Sequence, residues 1–119
     1  MATAPTPSRG EVWLIDFDPS IGAEIRKIRP AVVVSLDAIG RLPLRLVVPI
    51  TDWKPQYHVY PWMVNILPDN VNGLSKESTA DSYQIKSLAL DRFVRKLGEV
   101  TADQIDAVVS AVALCVGAS

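Results

Sequence analysis

Residues 9–36 read Arg9-Gly-Glu-Val-Trp-Leu-Ile-Asp-Phe-Asp-Pro-Ser-Ile-Gly-Ala-Glu-Ile-Arg-Lys-Ile-Arg-Pro-Ala-Val-Val-Val-Ser-Leu36. Over 11–17 the side chains alternate. Val12, Leu14 and Asp16 fall on one side; Glu11, Trp13, Ile15 and Phe17 fall on the other. Period two is the signature of a strand. Asp18-Pro19-Ser20 and Gly22 then end it with turn chemistry. Residues 31–36 form a second strand, apolar on both faces and therefore central. Pro30 holds Arg29 in extended geometry. Between the strands lies a polar loop that carries Glu24, Arg26, Lys27 and Arg29. A carboxylate and three cations on so short a loop are suited to holding an anion and moving a proton.

The same grammar extends outward. A third strand covers 44–51, and Pro49 inside it cannot donate to a ladder, so the strand is an edge there or bulged. Residues 37–43, with Gly40 and Pro43, connect it to the second. A polar loop at 52–58 precedes an alternating strand over 59–67 through Tyr60, Trp62, Val64 and Ile66. Asp69-Asn-Val-Asn-Gly73 is a turn cluster. Two more strands are expected over 79–86 and 93–100, joined by a tight helical link at 87–92.

The end of the chain differs in kind. Thr101 and Gln104 fit a capping box, and Asp103 adds favourable charge at a helix N-terminus. Ile105, Val108, Val109, Val112 and Val116 then recur on one helical face, which sets a helix over about 101–116. The fold class is mainly β with a C-terminal helix: a small twisted β-barrel with the helix packed on it. At 119 residues the chain reads as one domain over 9–119, preceded by a proline-rich flexible arm at 1–8.

Composition narrows the chemistry. The net charge is −1, so nucleic-acid binding cannot be argued from a globally basic chain. Cations nonetheless cluster at Arg26, Lys27 and Arg29 and again at Arg92, Arg95 and Lys96, while acids concentrate at 69–81 and 99–106. The single cysteine, Cys115, excludes an intrachain disulfide and reads as a buried, inert thiol in a reducing compartment. No run approaches the roughly 18 apolar residues of a membrane span, and the N-terminal arm lacks the apolar segment of a secretory signal. There is one histidine, His58, no zinc-type Cys/His spacing and no phosphate-binding glycine loop. No cofactor and no metal are expected.

Glu24 and Arg29 are the natural pair for phosphodiester chemistry. Arginine offers a planar, permanently charged fork to a phosphate whose charge rises in the transition state, and a carboxylate can take the proton of a ribose 2′-OH. The alternative is an ordinary solvated pairing of Glu24 with Arg26 or Lys27. Thr51, at a strand end, can donate to a phosphate oxygen or simply be a good strand residue. Gln84 and Lys86, two apart on one strand face, can read a base edge and hold a phosphate, or can be solvated. Trp53, Tyr57, Trp62 and Tyr83 are candidates to stack on bases, Trp53 the best placed of them; Trp62 reads rather as core, and Trp13 as core or interface.

These motifs resemble those of the MazF/PemK (Kid) toxins of bacterial toxin–antitoxin systems. The resemblance rests on residues 9–35, on Val47-Val-Pro-Ile-Thr51, on Gln84-Ile-Lys-Ser-Leu-Ala89 and on Leu97-Gly98, in that order along the chain. It implies an SH3-like barrel that forms a homodimer in the cytoplasm. It implies a metal-independent endoribonuclease that cuts single-stranded RNA by 2′-OH attack and is blocked by the acidic C-terminal tail of a cognate antitoxin. Carried over, Arg29 matches the catalytic arginine, Thr51 the threonine that positions the phosphate, and Glu24 the carboxylate proposed as base. Gln84 and Lys86 match RNA-contacting positions, and Arg26 and Lys27 would guide the backbone or meet the antitoxin. Two departures stand out. Ile25-Arg-Lys-Ile28 replaces a small, Gly/Gln-rich run, and Tyr83 stands where an acid usually precedes the glutamine, with Asp81 two earlier. A non-catalytic protein of the same fold, such as a CcdB-type gyrase poison, is the alternative, as is a relative that binds RNA or antitoxin without cutting.

Overall fold

The computed structural model describes residues 5–39 and 42–118; residues 1–4 of the expected arm, and Gly40 in the 37–43 connection, lie outside them. Among the described residues, seven strands and one α-helix follow in order: β1 (Glu11–Asp16), β2 (Ile28–Val33), β3 (Leu44–Asp52), β4 (Met63–Ile66), β5 (Ser78–Asp81), β6 (Lys86–Ala89), β7 (Phe93–Glu99) and α1 (Ala102–Cys115). All pairings are antiparallel, in the order β4-β5-β3-β2-β1-β7, with β6 also on β3. The mainly-β expectation with a terminal helix holds. The barrel does not close: β4 and β7 remain the two ends of a twisted sheet.

The double-sided apolar character of β2 and β3 has its reason in two cores. Val32, Val48 and Ile50 point to one, with Val12, Ile66, Ala80 and the helix residues Ile105 and Val108. Ala31, Val33 and Val47 point to the other, with Ile15, Phe17 and Phe93. Alternation along each strand thus feeds opposite cores. The capping box forms as read: Gln104 N–H donates to Thr101 Oγ1 at 3.1 Å and Thr101 N–H to Gln104 Oε1 at 2.8 Å. Val116 departs from the expected helical face; it is 71% exposed, beyond the last turn. Cys115 is half-buried rather than buried, and burial, with Asp81 nearby, raises its thiol pKa, so it is a weak nucleophile.

Several boundaries shift. The second strand begins at Ile28, so Arg29 and Pro30 belong to it rather than to the loop. The expected 59–67 strand shrinks to Met63–Ile66, because Pro55–Val59 forms a 3-10 turn. The expected 79–86 strand breaks into β5, a 3-10 turn at Ser82–Gln84, and β6, which takes much of the span read as a helical link. Of the arm, Pro7 is buried and its carbonyl accepts from Arg45 Nε at 2.9 Å.

One feature of the register decides where a site can form. β2 and β3 pair through Val33↔Val47, Val32↔Val48 and Ala31↔Pro49. Beyond that pair they part. β2 continues along β1, with Pro30 opposite Leu14 and Arg29 opposite Ile15. β3 continues against β5 from Ile50. The sheet forks here, with a proline on each branch at the fork. Neither Pro30 nor Pro49 has an N–H to draw the strands together. Pro49 therefore marks a change of partner and not the expected edge or bulge, since β3 is paired by β2, β5 and β6.

Candidate active site

The fork opens into a cleft of about 400 Å³. Continuing the β2–β3 register by two residues sets Arg29 across from Thr51, one on each branch, and both line the cleft. Leu14, Pro30, Ile50 and Leu97 supply its apolar lining. The 67–77 turn forms another wall through Gly73, Leu74, Ser75 and Lys76. That wall is held from within. Asn72, fully buried, accepts from Asp69 and Leu74 N–H through Oδ1 and donates to the Leu67 carbonyl through Nδ2. Its backbone packs directly on β7: a Cβ on Gly98 would stand 2.1 Å from the Val71 carbonyl oxygen.

The charge balance of the cleft is positive. Lys76 and Asp52 pair at 2.9 Å and cancel. Arg29 gives its Nε to the Arg26 carbonyl at 3.3 Å. Among the described residues neither Arg29 nor Arg95 has a carboxylate within ion-pair distance. Arg95 enters the cleft because β7 pairs it with Leu14, which pairs in turn with Pro30. The sequence marks 92–96 as a cation cluster but does not say which member turns inward. The structure divides them: Arg92 donates to the carbonyls of Asp16 and Asp18, Lys96 pairs with Glu11 at 3.1 Å, and Arg95 remains for the cleft.

The remaining candidates assemble elsewhere. Glu24, Tyr83, Gln84 and Lys86 line a second pocket of about 360 Å³ with Ala23 and Ile85. Glu24 is therefore not in one pocket with Arg29. It pairs with Lys86 at 3.3 Å, not with Arg26 or Lys27. The Ile21 N–H, donated at 2.7 Å, and then the Lys86 ammonium hold its carboxyl below the usual carboxylate range. Two features turn the loop this way. Lys27 adopts a left-handed φ of 67°, uncommon for a side-chain-bearing residue. The Ile25 N–H donates to Gln84 Oε1 at 2.6 Å. Gln84 and Lys86 do not share a strand face, since the 3-10 turn ends at Gln84 and β6 begins at Lys86. The Gln84 amide is engaged on both sides, its Nε2 donating to Asp81 Oδ2 at 3.3 Å. Burial raises the Asp81 carboxyl pKa, and its other oxygen is buried without a partner.

Arg26 is exposed and reaches back to the Gly22 carbonyl at 2.9 Å; Lys27 is exposed beside it. Trp53 is half-buried and follows Thr51 and Asp52 out of the cleft. Trp13 packs against the second core, edge-on to Phe93 at 5.7 Å, as expected. Trp62 does not join either core. Among the described residues no three His, Cys, Asp or Glu side chains converge as a metal-holding group, and no helix is long and apolar enough to cross a membrane.

The chain is similar to known proteins over most of its length. Residues 8–116 match the sequence profile of the family described as PemK-like, MazF-like toxin of type II toxin-antitoxin system. Endoribonuclease MazF9 of Mycobacterium tuberculosis is 39% identical over 103 residues, which cover 82% of this chain and 85% of that protein. The crystal structure of MazF from Deinococcus radiodurans superposes with a TM-score of 0.80 at 28% identity, covering 95% of this chain and 98% of that one. A MazE–MazF structure from the same organism gives 0.73 at 28% identity, covering 97% and 99%. By the extent of the profile match and the identity to its relative, the chain belongs to the PemK-like, MazF-like toxins of type II toxin–antitoxin systems.

Proposed function

We propose that this protein is a sequence-selective, metal-independent endoribonuclease that cuts single-stranded RNA and is neutralised by a cognate antitoxin. The observation that carries the reading is the forked cleft, where the Arg29 guanidinium and the Thr51 hydroxyl stand on opposite branches with no carboxylate on Arg29. Such a site suits an anion, and a phosphate fits the guanidinium fork and the hydroxyl together.

In this reading Thr51 donates to a non-bridging oxygen and fixes the scissile phosphate. The 2′-OH of the preceding ribose attacks that phosphorus. Arg29 stabilises the charge that gathers on the equatorial oxygens. The P–O5′ bond breaks and the leaving 5′-oxygen takes a proton from solvent in the open cleft, giving a 2′,3′-cyclic phosphate and a 5′-OH. The 2′-OH proton goes to the Glu24 carboxylate. Its exposed loop must deliver it from the second pocket when RNA binds. Arg26, Lys27 and Lys86 guide the backbone, while Trp53, Tyr83 and Gln84 contact bases.

Names of relatives support the reading: the M. tuberculosis protein is an endoribonuclease, and the D. radiodurans MazF is found with MazE. Leu36, Ile39, Leu42, Leu44 and Leu46 are exposed around an apolar depression of about 200 Å³. An apolar patch of that kind suits a protein partner, either the antitoxin or a second copy in a homodimer. The cytoplasm is the compartment where such RNA and such a partner meet. Incubation of the purified protein with a long single-stranded RNA in EDTA tests the function. Discrete fragments ending in cyclic phosphate are expected. Intact RNA, or fragments ending in a 3′-OH, would contradict it.

A further inference from the structure

The cleft and the second pocket are separate cavities; a row of rings runs from Trp53, next in sequence to the cleft residues Thr51 and Asp52, to Tyr83, which lines the second pocket. Trp53 stands edge-on to Tyr57 at 6.0 Å, Tyr57 beside Tyr60 at 6.2 Å, Tyr60 stacked on Trp62 at 5.0 Å and 11°, and Trp62 edge-on to Tyr83 at 6.1 Å. Five of the chain's eight Trp, Tyr and Phe residues lie in this row. None belongs to either core, and none is fully buried. The 3-10 turn beneath them, Pro55–Val59, has no buried residue at all. Large rings gain most from being covered. A connected row left half-open, with Tyr60 38% and Tyr83 67% exposed, is therefore surface placed for something to lie on it.

The ends of the row indicate what. Trp53 comes two residues after Thr51, which lines the cleft, and Tyr83 lines the pocket that holds Glu24, Gln84 and Lys86. Residues 53–62 contain Lys54 and His58 and no acid. Edge-on neighbours leave ring faces available, and every nucleobase has a face to stack. Rings interleaved with cations along a groove are how folds bind single strands with little sequence preference. We propose that the Trp53–Tyr57–Tyr60–Trp62–Tyr83 row is a base-stacking platform that carries single-stranded RNA from the Arg29–Thr51 cleft to the Tyr83 pocket. The proposal rests on the ribonuclease reading. It adds that affinity depends on RNA length on the side of the cut that crosses the row.

The test uses uncleavable 2′-deoxy analogues of a cleaved sequence: a trinucleotide centred on the cut, and two strands of about ten nucleotides, each extended on one side only. Binding to full-length wild-type, Tyr57→Ala, Tyr60→Ala and Tyr60→Phe proteins is followed by anisotropy. One extended strand should bind wild-type protein more tightly than the trinucleotide. Each alanine variant should lower that long-to-short affinity ratio about tenfold, and Tyr60→Phe should keep it. Equal ratios in wild-type protein and both alanine variants would overturn the platform. So would alanine variants that keep the ratio but lose antitoxin binding or dimer mass, which would make the row a protein contact. If wild-type protein neither cuts nor binds RNA, the ribonuclease reading itself fails; if it cuts while the ratios are equal, only the platform fails.

Discussion

Gln84 joins the two halves of the candidate site, and its replacement has a calculable effect. Its Oε1 accepts from the Ile25 N–H at 2.6 Å, across 59 residues of chain, and its Nε2 donates to Asp81 Oδ2 at 3.3 Å. Gln84→Ala removes both bonds, leaves a half-buried N–H unpaired and strips Asp81 of its side-chain donor. At about 0.5–1.5 kcal/mol per bond, plus the cost of the orphaned donor, the loss is about 2–3 kcal/mol. For a domain of this size that lowers the melting temperature by about 10 °C. Gln84→Glu separates the two bonds. Its carboxylate can still accept from Ile25, but it now faces the Asp81 carboxyl, which burial already holds above its usual range. Two charges there would repel by about 5 kcal/mol at an effective dielectric of about 20, and the pair relieves this by keeping a proton. The native pair then holds a proton that the unfolded chain has released, so stability is retained at low pH and lost as pH rises through the pair's raised range. Urea unfolding followed by tryptophan fluorescence should show Gln84→Ala destabilised at every pH. Gln84→Glu should be near wild type at about pH 4 and well below it at about pH 8. A Gln84→Ala protein within about 0.5 kcal/mol of wild type would refute the anchoring role, as would a pH-independent Gln84→Glu.

The other predictions concern the cleft wall, the buried acid and the base. Gly98→Ala would drive a Cβ to 2.1 Å from the Val71 carbonyl oxygen and 2.6 Å from Asn72 carbonyl carbon, where only backbone could yield; a loss above about 3 kcal/mol is expected in the same urea assay. Asp81→Asn removes a carboxyl whose ionised form the native state disfavours. It should stabilise by up to about 1 kcal/mol at about pH 8, with the gain vanishing below the carboxylate range. Glu24→Gln should cut RNA about 100-fold or more slowly with an unchanged melting temperature; cleavage at the wild-type rate would place the base elsewhere.

What the sequence made legible was local. Thr101 and Gln104 specify their helix start through bonds three residues apart, so the cap could be read directly. The double apolar faces of the second strand announced a central strand, whereas Pro49 in the third suggested an edge or bulge that the structure does not have. What escaped was set by distant partners. Residues 79–89 alternate well enough to suggest one strand and a link, yet Ser78–Asp81 and Lys86–Ala89 pair with different stretches of β3 and must break between them. Glu24 and Arg29 are close in sequence, and that closeness misled. A left-handed Lys27 and the Ile25–Gln84 bond send them to different cavities, and neither is visible in a pattern of residue types. Trp62 alternates with core residues and so read as core. Its true neighbours, Tyr60 and Tyr83, come from a turn and from another element. Arg29 and Thr51 were legible from residue chemistry and matched by motif resemblance, and the two prolines of the fork explain why they sit on opposite branches of one cleft.

The central claim is that the Arg29–Thr51 cleft cuts RNA. Single-turnover cleavage by Arg29→Ala protein, measured alongside its melting temperature, tests it most directly. The account predicts a rate reduced by at least about 10³-fold with thermal stability unchanged, because the guanidinium lines an open cleft and contributes no core packing. Cleavage within about tenfold of wild type by a folded Arg29→Ala protein would contradict it.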